Sequence, residues 1–234
     1  NYNGGTPETN ARIMGITPAV SAKVLANIKT MVAIKQRDSL PVTIGLQQVL
    51  MQQYGQEILT LTKLALDLGV DYLVIKHCSD DEQGSLGVDY AGYLRWYDDI
   101  RRAEAMSTER TKIIAKWSKI GAGNHRDYSR CYGAPFILQI SGSGLVAPCG
   151  MLFNQRYAKF HIGNIVTESF KDILQSDRYW DVMNYLASDK FDARRMCGFL
   201  CLQHLTNDAL DKHKKGIAPL NIATSISPAH VNFL

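Results

Sequence analysis

The sequence has no apolar run near the ~20 residues that a membrane-crossing helix needs, so no membrane partner is expected. It opens Asn1-Tyr2-Asn3-Gly4-Gly5, without the basic start and apolar stretch of a secretory signal. Long charge runs are missing too. The largest basic cluster, Lys212 to Lys215, is interrupted by His213 and reads as a solvated helix end. With a net charge of +4 scattered along the chain, no nucleic-acid partner is indicated. Gly and Pro are not in excess, and 46% hydrophobic against 21% charged residues excludes a disordered chain. An even cysteine count is also lacking. There are five, and without a secretory signal this favours metal binding or free thiols over a disulfide framework. A cytoplasmic globular protein is therefore expected, and 234 residues suffice for one large domain or two small ones.

The hydrophobic pattern in the first half alternates between helix and strand. Thr17-Pro18 reads as an N-cap with proline at the first helical position. Val24, Ile28, Met31 and Val32 follow on one helical face. Residues 42 to 51 are rich in β-branched and aliphatic side chains and read as a buried strand. Ile58, Leu61, Ala65 and Leu68 form a helical stripe stopped by Gly69. Tyr72-Leu73-Val74-Ile75 is a continuous apolar run typical of a strand covered on both faces. Strand, helix, strand over residues 42 to 77 makes a βαβ unit with parallel strands. The class is α/β. Residues 90 to 120 carry Tyr90, Tyr93, Leu94 and Tyr97, then Ile113, Ile114 and Trp117, and read as helical. Two complete strands, with the tail of a third expected at Asn1 to Asn3, cannot close a barrel. Together with the absent initiator Met, this reads as a fragment whose N-terminal part is missing.

A Gly-rich break at Gly121-Ala122-Gly123-Asn124 divides the chain. The expected division is residues 1–122, a cysteine domain at 123–206 and a tail at 207–234, irregular from Gly216. In the second part Phe136 to Ile140, the turn Ser141-Gly142-Ser143-Gly144, and Leu145 to Cys149 form a hairpin by their turn chemistry. Two short helices follow, from about Glu168 and about Asp177.

Four of the five cysteines fall in this second part, as Cys131-x12-Gly144-x4-Cys149 and Cys197-x3-Cys201. The hairpin brings Cys131 and Cys149 near each other. Cys197 and Cys201 share a face if their segment is helical. Four thiolates from two places make a closed site, and soft anionic sulfur suits zinc or an iron–sulfur cluster. Gly144 allows a tight turn where a side chain would crowd it. The bland reading is four small buried core residues, which two spaced pairs argue against. Cys78 stands apart at a strand end and reads as structural. His204 extends the second pair to Cys197-x3-Cys201-x2-His204, and reads as a neighbour of the site rather than a ligand.

The Cys-Gly-Cys hairpin, followed by His161-Ile162-Gly163-Asn164-Ile165 and the amphipathic Ser169-Phe170-Lys171-Asp172-Ile173, resembles the SPASM/twitch extension of radical S-adenosylmethionine enzymes. Upstream, residues 42–51 and 72–77 resemble the last strands of that family's partial (β/α)6 barrel. Asn1-Tyr2-Asn3-Gly4 stands where the family commonly has Ser-x-Asp-Gly. The resemblance implies a TIM-like barrel portion and a small α+β domain with a β-hairpin. It implies one auxiliary 4Fe–4S cluster on Cys131, Cys149, Cys197 and Cys201, as in the twitch variant, since the seven cysteines of a full SPASM domain are not present.

In such enzymes a second 4Fe–4S cluster, on Cys-x3-Cys-x2-Cys, cleaves S-adenosylmethionine to a radical that attacks the substrate. That motif is absent from this sequence, so the chain alone is expected to be inactive. Position at the C-terminal ends of barrel strands would put Asn1, Asn3, Gln48, Lys76 and His77 near the cofactor. The implied partners are a peptide or protein substrate, or a small molecule, and a reductant such as a flavodoxin or ferredoxin. The alternative from another class is a zinc-stabilised four-cysteine binding module without catalysis of its own.

Overall fold

The computed structural model describes residues 1–80, 84–120, 126–197 and 201–220. The expected break at 121–124 and the tail beyond residue 220 lie outside the described residues. Two compact units are present, one spanning Asn1–Asp80 and Leu86–Asn124, the other Asp81–Ser85 and His125–Leu234. Among the described residues no helix is long and apolar enough to cross a membrane.

The first unit runs α1 (Pro7–Met14), α2 (Pro18–Arg37), β1 (Gly45–Leu50), α3 (Glu57–Leu68), β2 (Tyr72–His77), α4 (Tyr97–Ala105), β3 (Lys112–Ala115) and α5 (Trp117–Ile120). Its three strands form an all-parallel sheet in the order β1-β2-β3, with helices between them. The described residues close no barrel. Alternation along the strands divides the sheet into two faces. Leu46, Leu50, Leu73, Ile75, Ile113 and Ala115 share one face. They form a single core with Ile58, Leu61 and Ala65 of α3 and with Ile100 and Ala103 of α4.

Local signals explain most of these elements. Thr17 caps α2 by accepting from Val20 N, ahead of Pro18. Gly69 ends α3 in the left-handed region at φ 65°, its N–H donating to Ala65 O and Leu66 O. The expected apolar stripe of α2 divides: Ile28 and Val32 are buried, whereas Val24 and Met31 are exposed.

Residues 112–115 correct the helical reading of the 90–120 segment. They form β3, pairing Leu73 with Ile113 and Ile75 with Ala115. Ile113, Ile114 and Trp117 fit helical spacing by coincidence. The β-branched pair is recruited by the open edge of β2, with Thr111 Oγ1 donating to Val70 O at 2.6 Å to set the entry. Asn1 to Asn3 form no assigned strand. They nevertheless lie along β1, with Tyr2 N donating to Gln47 O (3.1 Å) and Val49 N donating to Asn3 Oδ1 (2.8 Å).

The second unit contains β4 (Gln139–Ile140), β5 (Leu145–Ala147), β6 (Gly163–Asn164), α6 (Phe170–Gln175), α7 (Asp177–Leu186), α8 (Ala193–Met196) and α9 (His204–Lys214). The strands form a small antiparallel sheet, β4-β5-β6. The β4–β5 hairpin has the expected turn, in which Gly144 adopts φ 81°. Ser169 and Ser176 cap α6 and α7 by accepting from Asp172 N and Tyr179 N. The apolar faces of α6 and α7 pack on Val146, Phe160 and Ile162. Helix α9 runs through residue 206, so Asn207 and Asp211 are buried in this unit.

Candidate metal centre

Each of the four clustered cysteines is placed by a different local device. Cys131 precedes a short 3-10 turn, and its N–H donates to Leu186 O at the end of α7 (3.0 Å). Cys149 follows β5 and Pro148, with extended backbone (φ −155°, ψ 144°). Cys197 terminates α8, also extended (φ −94°, ψ 143°). The four residues of α8 stop at Met196, so Cys197 itself is not helical and does not meet the condition under which it would share a helical face with Cys201. Residues 198–200 lie outside the described residues. Cys201 precedes α9, its carbonyl accepting from His204 N (3.4 Å).

All four line one cavity of about 50 Å³. On that measure one water needs roughly 10–15 Å³, so the space exceeds a single small occupant. The remaining wall includes Leu152, Phe160, Leu186 and Phe191. Burial pushes the Cys131 and Cys149 thiols up and pushes Cys197 up to about 12. The buried Arg126 guanidinium acts in the opposite direction on Cys149 and Cys197, and like charge on the neighbouring sulfurs adds to the rise. Among the described residues, no three or more His, Cys, Asp or Glu are grouped so as to hold a metal ion. The thiols surround a space; they do not converge on a point. Four soft donors around an apolar cavity, with a buried cation to offset negative charge, fit a multi-iron cluster in donor chemistry.

A polar layer, not anticipated from the sequence, stands behind the thiols. Gln203, Asn207 and Asp211 are buried at i, i+4 spacing on one side of α9. Gln203 Nε2 donates to Ile137 O (2.8 Å) and Pro148 O (2.9 Å), tying both flanks of the hairpin to α9. Gln203 Oε1 accepts from the Cys131 thiol (3.2 Å), and Asn207 Nδ2 donates to the same sulfur (3.5 Å). Tyr128 OH lies 3.8 Å from Cys201 Sγ and 3.0 Å from His204 Nδ1. The polar i, i+4 stripe beside Cys201 was a readable signal for Gln203 and Asn207. Tyr128 and Arg126 carried none.

The five positions expected near a cofactor all belong to the first unit. Asn1 Oδ1 accepts from Gln47 Nε2. Asn3 is buried; besides holding Val49 N, its own N–H donates to Asn10 Oδ1 (2.7 Å). Gln48 alternates with the core residues Leu46 and Leu50 and is 1% exposed, and its Oε1 has no hydrogen-bond partner among the described residues. His77 is on that same helix-covered face, 5.1 Å from the Tyr90 ring and 5.6 Å from the Tyr93 ring, with Nδ1 2.8 Å from Cys78 O. Lys76, one residue earlier, is on the opposite face. The strand ends therefore bring Gln48 and His77 to one face and leave Lys76 on the other. Cys78 continues the ladder through its N–H to Leu50 O (2.7 Å).

Residues 131–201 match the family model of the SPASM domain, an iron–sulfur cluster-binding domain. No curated protein and no solved structure matches the chain. The matched region begins at Cys131 and ends at Cys201, the outermost of the four cavity cysteines.

Proposed function

We propose that this chain supplies the auxiliary-cluster domain, and part of the barrel, of a radical S-adenosylmethionine enzyme whose substrate is a peptide or protein, or a small molecule. The carrying observation is that Cys131, Cys149, Cys197 and Cys201 line one cavity within the region matched by the iron–sulfur family. SPASM domains typically accompany radical S-adenosylmethionine barrels, and the parallel β1-β2-β3 sheet with its helices is compatible with part of one. In this reading the four thiolates would hold a 4Fe–4S cluster, whose chemistry there would be one-electron transfer. The apolar wall excludes water, Arg126 offsets negative charge, and Gln203 keeps the hairpin docked on α9. Asn1, Asn3, Gln48, Lys76 and His77 remain the proposed cofactor-side positions by their place at the strand ends; of the strand residues, Lys76 is on the face away from the helices, which would be a barrel's interior, and Gln48 and His77 are on the helix-covered face. A Cys-x3-Cys-x2-Cys site is needed for the radical step and is not among these residues, so the activity belongs to a protein in which such a site accompanies them. A flavodoxin or ferredoxin is the expected type of reductant.

A single zinc ion on the same thiols is the competing occupant. Zinc would take the four sulfurs in a tetrahedron of bonds of about 2.3 Å, without iron or sulfide. Anaerobic reconstitution with iron and sulfide separates the two. A brown protein with a broad charge-transfer band supports the proposal. A protein that stays colourless and instead retains one zinc would overturn it.

A further inference from the structure

We infer that Asn207 raises the reduction potential of the cluster by donating a hydrogen bond to the sulfur of Cys131. The inference rests on the reading of Cys131 as a cluster ligand. It follows from the orientation of two side-chain amides. An amide's oxygen and nitrogen ends are told apart by their partners. Asn207 Oδ1 accepts from the Gly133 N–H at 2.7 Å, a group that can only donate. The NH2 end is therefore the one that meets Cys131 Sγ at 3.5 Å. Gln203 is fixed in the opposite sense. Its Nε2 is committed to two carbonyls, which can only accept, so its Oε1 is the end 3.2 Å from the same sulfur.

These two contacts respond differently to metal ligation. Gln203 Oε1 accepts only while Cys131 carries a proton, and a ligating thiolate has none. Asn207 Nδ2 donates to the sulfur in either condition and more strongly to the anion. Tyr128 is a weaker candidate on Cys201, because its one hydroxyl proton is contested by His204 Nδ1 at the shorter distance of 3.0 Å. Among the described residues, no second acceptor competes for the Asn207 Nδ2 donor. It is 1% exposed, so the bond acts in a medium of low dielectric. Reduction places added negative charge partly on the ligand sulfurs. A donor there stabilises the reduced form more than the oxidised form and moves the potential upward.

The test uses the full 234-residue chain, reconstituted anaerobically with iron and sulfide and titrated electrochemically. Asn207→Asp keeps an oxygen for the Gly133 N–H and replaces the donor by a carboxylate oxygen. Asn207→Leu removes the donor without adding charge. At the wild-type midpoint, the ratio of reduced to oxidised cluster is expected to fall about tenfold in Asn207→Leu. That corresponds to about 59 mV for a one-electron couple. A larger fall is expected in Asn207→Asp. Loaded variants with the wild-type potential would overturn the inference and leave the cluster assignment standing. If neither variant assembles a cluster, the wild type labelled with 15N-asparagine decides: hyperfine spectroscopy of the reduced cluster should detect a coupled amide nitrogen with exchangeable protons, and its absence overturns the inference. A wild-type chain that takes up no iron defeats the cluster reading itself, and the inference with it.

Discussion

Replacing Gly144 by Ala tests whether the turn positions the cysteine site. Gly144 sits at φ 81°, in the region that favours glycine, and its N–H donates to Ser141 O at 3.0 Å. A residue with a Cβ loses about 1–2 kcal/mol in that conformation. The added carbon would also lie 2.6 Å from Asn164 Oδ1 and 2.7 Å from Val166 Cγ2. Asn164 cannot swing aside freely, since its Oδ1 accepts from Val166 N (2.9 Å) and its Nδ2 donates to Ser143 O (3.2 Å). Giving up those bonds adds about 1–2 kcal/mol at typical net values. The total is roughly 2–4 kcal/mol. At about 4 °C per kcal/mol for a unit of this size, the transition of the second unit should fall by roughly 8–16 °C in a thermal melt of the apo chain. Iron loading should fall with it, because Cys149 follows the second strand of this hairpin. Gly142 lies in the same turn, has no φ in the left-handed region, and a Cβ there would meet nothing within 4 Å. Gly142→Ala should therefore melt within about 2 °C of the parent on surface-substitution magnitudes. Equal melting of Gly144→Ala and Gly142→Ala would refute the reasoning.

Other parts of the chain make separate predictions. Glu57 Oε2 accepts from Gly5 N (2.8 Å), Thr9 Oγ1 (3.2 Å) and Thr60 Oγ1 (3.2 Å), so Glu57→Ala should cost the first unit about 2–4 kcal/mol in urea denaturation; a loss below about 0.5 kcal/mol, the usual surface value, would contradict this. The Arg194 guanidinium holds the Asp192 carboxyl down at about 2. Because that value is depressed, the pair's stabilising contribution is present above about pH 4 and is lost as the pH falls toward 2. By NMR at pH 3, Asp192 should be ionised in the parent and largely protonated in Arg194→Gln, and an identical titration in both would remove Arg194 as the cause. The reconstituted, reduced chain supplied with S-adenosylmethionine should yield no 5′-deoxyadenosine above background, since it has no Cys-x3-Cys-x2-Cys site; multiple turnovers would overturn the assigned division between the two clusters.

What could be read from the sequence follows the range of the forces involved. Thr17-Pro18 and Gly69 act within a few residues, and the helices they bound appear where their spacing places them. The Cys-x12-Gly-x4-Cys spacing is equally local, because a hairpin is fixed by its turn. β3 was not legible. Four residues carry too little pattern to override a helical reading, and their pairing is decided by the exposed backbone of β2, about forty residues earlier in the chain. The exposure of Val24 and Met31 is likewise settled by which side of α2 meets the sheet. At the site, the thiols could be found by their type. Their orientation by Gln203 and Asn207 depends on α9 folding back over the hairpin, a long-range contact that no short motif encodes. Gln48 and His77 illustrate a further limit. Strand ends can be located from sequence, but which face each side chain takes depends on one residue of register.

The central claim is that Cys131, Cys149, Cys197 and Cys201 together hold one four-iron cluster. Its most direct test is the iron and sulfide content per chain after anaerobic reconstitution, measured for the parent, for Cys149→Ala and Cys197→Ala, and for the Cys131/Cys149 double alanine variant. The account predicts about four irons and four sulfides in the parent, the content of a single 4Fe–4S cluster. It predicts weakened loading in the single variants and loss of the cluster in the double variant. Full iron loading in the double variant would contradict it.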